Sequence, residues 1–190
     1  RGISINGTSA GTNTVVIDGS QASASAGPAL DIVGTANADI TLGNGTTLTA
    51  SNGMAVQVAA RATATVTITG STIEGDLVAQ TQGPFTGTLD VSLGGGAALR
   101  GAILNGNSVA LADAGWQLTA DSNVQQLDVG SGAVVRFSDG GAFHTLQVAG
   151  NYSGSGGTLV FNTVLAGDDA STDRLVIGGD TSGQTYVRVN

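Results

Sequence analysis

Apolar residues in this chain recur at every second position in short bursts. Val15-x-Ile17, Ile40-x-Leu42, Val66-x-Ile68, Val91-x-Leu93, Val109-x-Leu111 and Val135-x-Phe137 are such pairs. Period two is the pattern of a half-buried strand, and runs of helical period are almost absent. A tight polar turn follows each pair, such as "GNGTT" after Leu42 or "ADAG" after Leu111. Another apolar residue comes next: Ala22, Leu48, Ile73, Leu99, Trp116 and Phe143 in turn.

The pairs begin at 15, 40, 66, 91, 109 and 135, so most steps are about 25 residues and one, from 91 to 109, is about 18. A strand-rich repeat of this length reads as a solenoid or a propeller, and a propeller blade needs about 40–45 residues. One winding of a parallel β-helix fits instead: three short strands joined by turns, each pairing with its equivalent about 4.8 Å away. The fold class is therefore all-β, a parallel β-helix of a single chain. Inward side chains stack in columns of Val, Ile and Leu, and outward ones in ladders of Thr and Ser. Gly, Asn and Asp supply corners that need positive φ.

Composition agrees. The 190 residues include 31 Gly and no Cys; charged residues are 11% and hydrophobic ones 41%. Like charges stacked in register at rung spacing repel, so few charges are expected. The net charge of −8 argues against nucleic acid as a partner, which needs a basic face. A chain without Cys offers no thiolate metal site or nucleophile, and it suits passage unfolded through a periplasm.

A solenoid exposes an open core and unpaired backbone at its ends. From Trp116 onward the aromatics gather: Trp116, Phe137, Phe143, Tyr152, Phe161 and Tyr186, against Phe85 alone before them. The chain thus divides into regular coils over 1–108 and a capping region over 109–190, continuous with them. The expected cap core is Trp116, Leu118, Leu127, Val129, Val135, Phe137, Phe143, Leu146, Phe161 and Leu175. Strand pairs at Leu127, Val135, Leu146, Leu159, Leu175 and Val187 are separated by turns such as "GSG" and "NYSGSGG". These hairpin-like spacings point to antiparallel pairs within the cap.

The later motifs resemble a known family. "ADAGWQLTADSNVQQLDV", "GAFHTLQVAGNYSGSGGTLVF" and the closing "DRLVIGGDTSGQTYVRVN" are similar to the passenger domains of pertactin-like autotransporters, most clearly from about Val66 to Asn190. The resemblance implies a right-handed parallel β-helix whose C-terminal part, here about Val109 to Asn190, is an autochaperone segment. It implies a place at the bacterial cell surface or outer membrane, or release from it, by type V secretion. The implied partner is the protein's own C-terminal β-barrel translocator, and adhesion or virulence is the implied role, through a host-cell surface or self-association. Under it the cap is a folding nucleus, with Trp116 bracing its junction with the coils.

Candidate chemistry is sparse, and no cofactor or enzyme activity is expected. His144, in "GAFHTLQV", is expected to point outward from a strand, and no G-x-S-x-G elbow supports a Ser-His-Asp arrangement. Asp168, Asp169 and Asp173 cluster in "AGDDASTD"; paired carboxylates serve glycosidases and oxygen-rich loops bind calcium, but a solvated acidic loop is the plainer reading. Asp90 sits beside Val91 on a strand. Asn6 and Asn44 in "NGT" and Asn151 in "NYS" fit the glycosylation pattern, although Asn-Gly is more simply a corner. Off the repeat lies "AQTQGPFTGT", with Gln82, Pro84 and Phe85, the best candidate for a projecting binding loop.

Overall fold

The computed structural model describes residues 2–8, 10–138, 141–167 and 169–190. Short strands wind around three faces. The first winding holds β1 (Ile3–Gly7), β2 (Thr12–Asp18) and β3 (Gln21–Ala24). The second holds β4 (Leu30–Gly34), β5 (Asn37–Gly43) and the start of β6 (Thr47–Val58), which bends into the third with β7 (Thr63–Thr69) and the start of β8 (Thr72–Ala79). A small hairpin, β9 (Thr81–Gln82) and β10 (Phe85–Thr86), then interrupts the path before β11 (Thr88–Arg100). β12 (Ile103–Gln117) covers all three faces by itself. Next come β13 (Ser122–Val129), β14 (Val134–Arg136), β15 (Thr145–Val148), β16 (Tyr152–Phe161), β17 (Arg174–Ile177) and β18 (Thr181–Val189).

The register proves the stacking. On the first face Val15 pairs with Ile40, Ile40 with Val66, Val66 with Val91, Val91 with Val109, Val109 with Leu127 and Leu127 with Tyr152. Two residues on, Ile17, Leu42, Ile68, Leu93, Leu111 and Val129 form a second column. Strands from successive windings run parallel throughout. Among the described residues, antiparallel contact is confined to the β9–β10 hairpin and a single bridge, Thr163 to Thr172. The protein is a parallel β-helix whose columns of Ile, Leu and Val are almost solvent-free. Each removed methylene group contributes about 0.8 kcal/mol of apolar burial.

Several sequence expectations change. Antiparallel pairing in the cap is limited, among the described residues, to the Thr163–Thr172 bridge: "GSG" is a corner between parallel rungs, and "NYSGSGG" is a parallel rung over Tyr152–Gly154 followed by a bend. Val135 is not the next member of the first-face column. It pairs with Trp116 and Leu159 on the second face, and Leu127 takes the place expected for it. Corners differ in length, so a fixed period slips from one face to the next. The 18-residue step is the shorter winding that results when a corner carries no insertion. The 66-to-91 step is longer because residues 80–87 loop out and return, closed by the Gly87 N–H donating to the Gln80 carbonyl at 2.9 Å.

Tyr186 does not join the buried rings. Tyr186, Val187 and Val189 on the last strand are 67%, 64% and 59% exposed. The large rings sit inside the stack instead, where a winding lies on either side. Asn44 is a corner with φ of 53°, as expected, whereas Asn6 lies within β1, paired with Val33.

Candidate functional site

Trp116 lies at the end of β12 on the second face, between Leu99 of the preceding winding and Val135 of the following one. It is fully buried, so its indole N–H needs an internal acceptor. It donates to the Gly101 carbonyl at 2.9 Å. Gly101 is itself held tightly against the winding below: a Cβ there would strike the Gly75 carbonyl. Two residues beyond Val135, Phe137 stacks on Phe161 of the next winding, ring centroids 4.2 Å apart and 21° from parallel. Rung spacing and ring stacking distance nearly coincide, so the helix builds an aromatic ladder at no cost in register.

Of the expected cap core, Leu118, Leu127, Val129, Val135 and Leu146 are buried with Trp116 and Phe137. Phe161 and Leu175 are partly buried against the same core. Phe143 is 36% exposed, contrary to expectation. It follows Phe137 on a long corner, not a strand, so the alternation that predicted its burial stops before it.

The second feature is a buried carboxylate. Asp173 is 4% exposed and lies just before β17. Its Oδ2 accepts from the Ser138 hydroxyl at 3.0 Å and the Asn162 backbone N–H at 2.7 Å; its Oδ1 accepts from the His144 backbone N–H at 2.8 Å. The Asn162 amide also donates to Ser138 Oγ at 2.7 Å. Two long second-to-third-face corners, β14 to β15 with Ser138 and His144, and β16 to β17 with Asn162 and Asp173, are thus tied together by one side chain. Bonds to an ionised acceptor are roughly twice as strong as neutral ones. On the first face of the same windings, the Tyr152 hydroxyl and Thr185 Oγ1 are 2.6 Å apart. Burial pushes the Tyr152 phenol above its ordinary range, opposed by the Thr185 hydrogen bond and aided by the nearby Asp128 charge.

These groups are not a catalytic relay. Ser138 bonds Asp173 directly, and His144 contributes its backbone. The His144 imidazole is half-buried, not outward-facing, with Nδ1 4.0 Å from Asp121. In the acidic loop, Asp168 lies outside the described residues, Asp169 is exposed, and Asp173 turns inward. Among the described residues, no three His, Cys, Asp or Glu side chains converge as a metal set. Asp90 accepts from the Asn107 amide at 2.7 Å. Sequence reasoning placed Asp173 in a solvated acidic loop, where the structure buries it, and passed over Ser138 and Asn162. The available signal was position: Asp173 immediately precedes the alternating strand "RLVI", a corner site, not the middle of a loop.

The hairpin places Gln82, Pro84 and Phe85 at the surface. Phe85 is 43% exposed, and the Arg61 guanidinium lies over its ring, 3.7 Å from the centroid. Such a cation–π contact orients an otherwise free ring.

Comparison with known proteins points to one family. Residues 122–190 match the family described as Autochaperone Domain Type 1, so Trp116 and Leu118 lie just ahead of the matched segment. "Probable autotransporter YfaL" of Escherichia coli K12 is 50% identical over 60 residues, 32% of this chain and 5% of that protein. "Adhesin BmaC autotransporter" of Brucella suis is 46% identical over 59 residues, 31% of this chain and 2% of that protein. "Uncharacterized protein YuaQ" of E. coli K12 is 54% identical over 44 residues, 23% of this chain and 3% of that protein. The matched stretch is thus a small part of each of these relatives. No solved structure gives a significant match.

Proposed function

From the premise that this chain is part of an autotransporter passenger and carries an autochaperone segment, we propose that residues 109–190 nucleate folding of the β-helix as the passenger reaches the cell surface. The supporting observation is the pairing of the largest buried rings with the Asp173 hub in one stretch. Passengers cross the outer membrane without ATP outside, so folding itself supplies direction. A segment that orders first offers a finished rung to the chain behind it, and nearest-neighbour stacking carries order along the solenoid. The partner in secretion is the precursor's own β-barrel translocator. The role is mechanical and not enzymatic: a stiff stalk presented at the bacterial surface or released from it. Trp116→Ala in a surface-display assay tests this reading. Sharply reduced display is expected; normal display with unchanged unfolding overturns it.

The hairpin favours a second reading, adhesion to a host cell or to a second passenger. It projects off the repeat, and its exposed Phe85 is held in place by Arg61. Deleting residues 81–86 should then abolish adhesion while display persists.

A further inference from the structure

The outward loop of residues 80–87 is followed by windings whose corners are short, which leaves a recess beneath the hairpin. Gly106 makes the corner tight: a Cβ there would lie 2.9 Å from Ile103 Cγ2 and 3.0 Å from Val124 Cγ1. The result is an open groove of about 360 Å³ between the third and first faces. Thr86, Asn105, Asn107, Asn123, Gln125 and Gln147 line it. It crosses the windings of β11, β12, β13 and β15, three steps of about 4.8 Å each. We propose that this groove binds a neutral oligosaccharide lying along the helix axis. The proposal rests on the hairpin-side binding reading and gives it a ligand class.

The chemistry follows from the lining. Five primary amides and a hydroxyl supply donors and acceptors without formal charge, the complement of a chain of sugar hydroxyls. Two of the amides are fixed in place: Asn123 Nδ2 donates to Asn105 Oδ1 at 2.9 Å, and the Asn105 backbone N–H donates to Asn123 Oδ1 at 3.2 Å. Asn105 Nδ2 also donates to the Ala79 carbonyl at 2.9 Å. A primary amide has two donor hydrogens and two acceptor lone pairs, so each of these two retains one of both for a ligand, in an orientation that need not be ordered on binding. Gln125 and Gln147 are exposed on successive windings. Asp90, tied to Asn107, is the charge at the rim, and it disfavours anionic sugars. An extended peptide fits less well. β13 is paired on both sides over Asn123 and Val124, and β12 is unpaired toward the preceding winding only over residues 105–107, too short a stretch for a ladder of β-addition.

The test uses the whole chain, isotopically labelled, titrated with cellohexaose, mannohexaose, maltohexaose and N-acetylchitohexaose, and with a heparin hexasaccharide as the anionic probe. At least one neutral hexasaccharide should shift the amide resonances of Asn105, Asn123, Gln125 and Gln147. The exposed double substitution Gln125→Ala with Gln147→Ala should retain the thermal unfolding curve and weaken that binding about tenfold or more, the loss of two hydrogen bonds. No shift with any neutral probe, shifts mapping elsewhere, equal binding by the double variant, or preferential heparin binding would each overturn the assignment. If the hairpin deletion still abolishes adhesion in those cases, the adhesive reading survives and the ligand is of another class.

Discussion

From β2 to β8 the interior columns are filled by Ile, Leu, Val and Ala, whereas from β12 to β16 Trp116, Phe137 and Phe161 enter the same kind of column. The rungs are alike in geometry and differ in how far their contacts reach. An aliphatic rung in the first region touches the rungs above and below, so its stability depends on both being in place. In the second region Asp173 gathers Ser138, His144 and Asn162, residues up to 35 positions away in sequence, and the rings span adjacent windings. The earlier windings are tied too, as by Thr46 to the Ile17 carbonyl and Gln57 to Asp31, but one bond at a time between neighbouring rungs; residues 109–190 add stacked rings and a carboxylate that accepts from three residues. A parallel solenoid built only from equivalent rungs has no preferred starting point; uneven filling gives it one.

The contrast can be broken at several positions. Trp116→Ala should cost about 3–5 kcal/mol of stability and slow refolding, because a nucleus residue acts on the folding rate. Ile40→Ala in the aliphatic region should cost about 2–5 kcal/mol yet act on the unfolding rate, with refolding nearly unchanged. Stopped-flow refolding of both variants, monitored by circular dichroism, separates the two regions; equal slowing would erase the difference between them. Asp173→Ala should cost about 1–3 kcal/mol through the donors it orphans. Its effect should appear as faster hydrogen exchange at His144 and Asn162 and not at β2 or β5.

The smallest effect is at high pH. The Tyr152 phenol is raised in the folded chain relative to its ordinary value of 10.0. The unfolded chain therefore loses this proton first as pH rises. The contribution of Tyr152 to stability is full below about pH 10 and declines as pH climbs through the raised folded value. Denaturant unfolding across that range should show a shallower decline for Tyr152→Phe than for the parent chain.

Much of the fold was legible because period-two alternation and a recurring turn are direct consequences of stacked rungs. The columns through Ile17, Leu42, Ile68, Leu93 and Leu111 follow from spacing alone. Corners were not legible, since they absorb insertions without disturbing the rungs; that moved Val135 to another face and made the hairpin insertion look like part of a constant period. The aromatic cluster was visible, but its place was not. Composition shows that rings are concentrated, whereas only the register shows that Trp116 and Phe137 lie between windings while Tyr186 is exposed on β18. Asp173 escaped because acidic residues in a Gly-rich loop normally face water. Its burial depends on backbone donors from corners distant in sequence.

Pulse-labelled hydrogen exchange during refolding tests C-terminal nucleation most directly. Amides of β12 to β16 should gain protection first, followed by β11, β8 and then the earlier windings in order. Simultaneous protection along the whole helix, or protection beginning at β2 and β5, would contradict it.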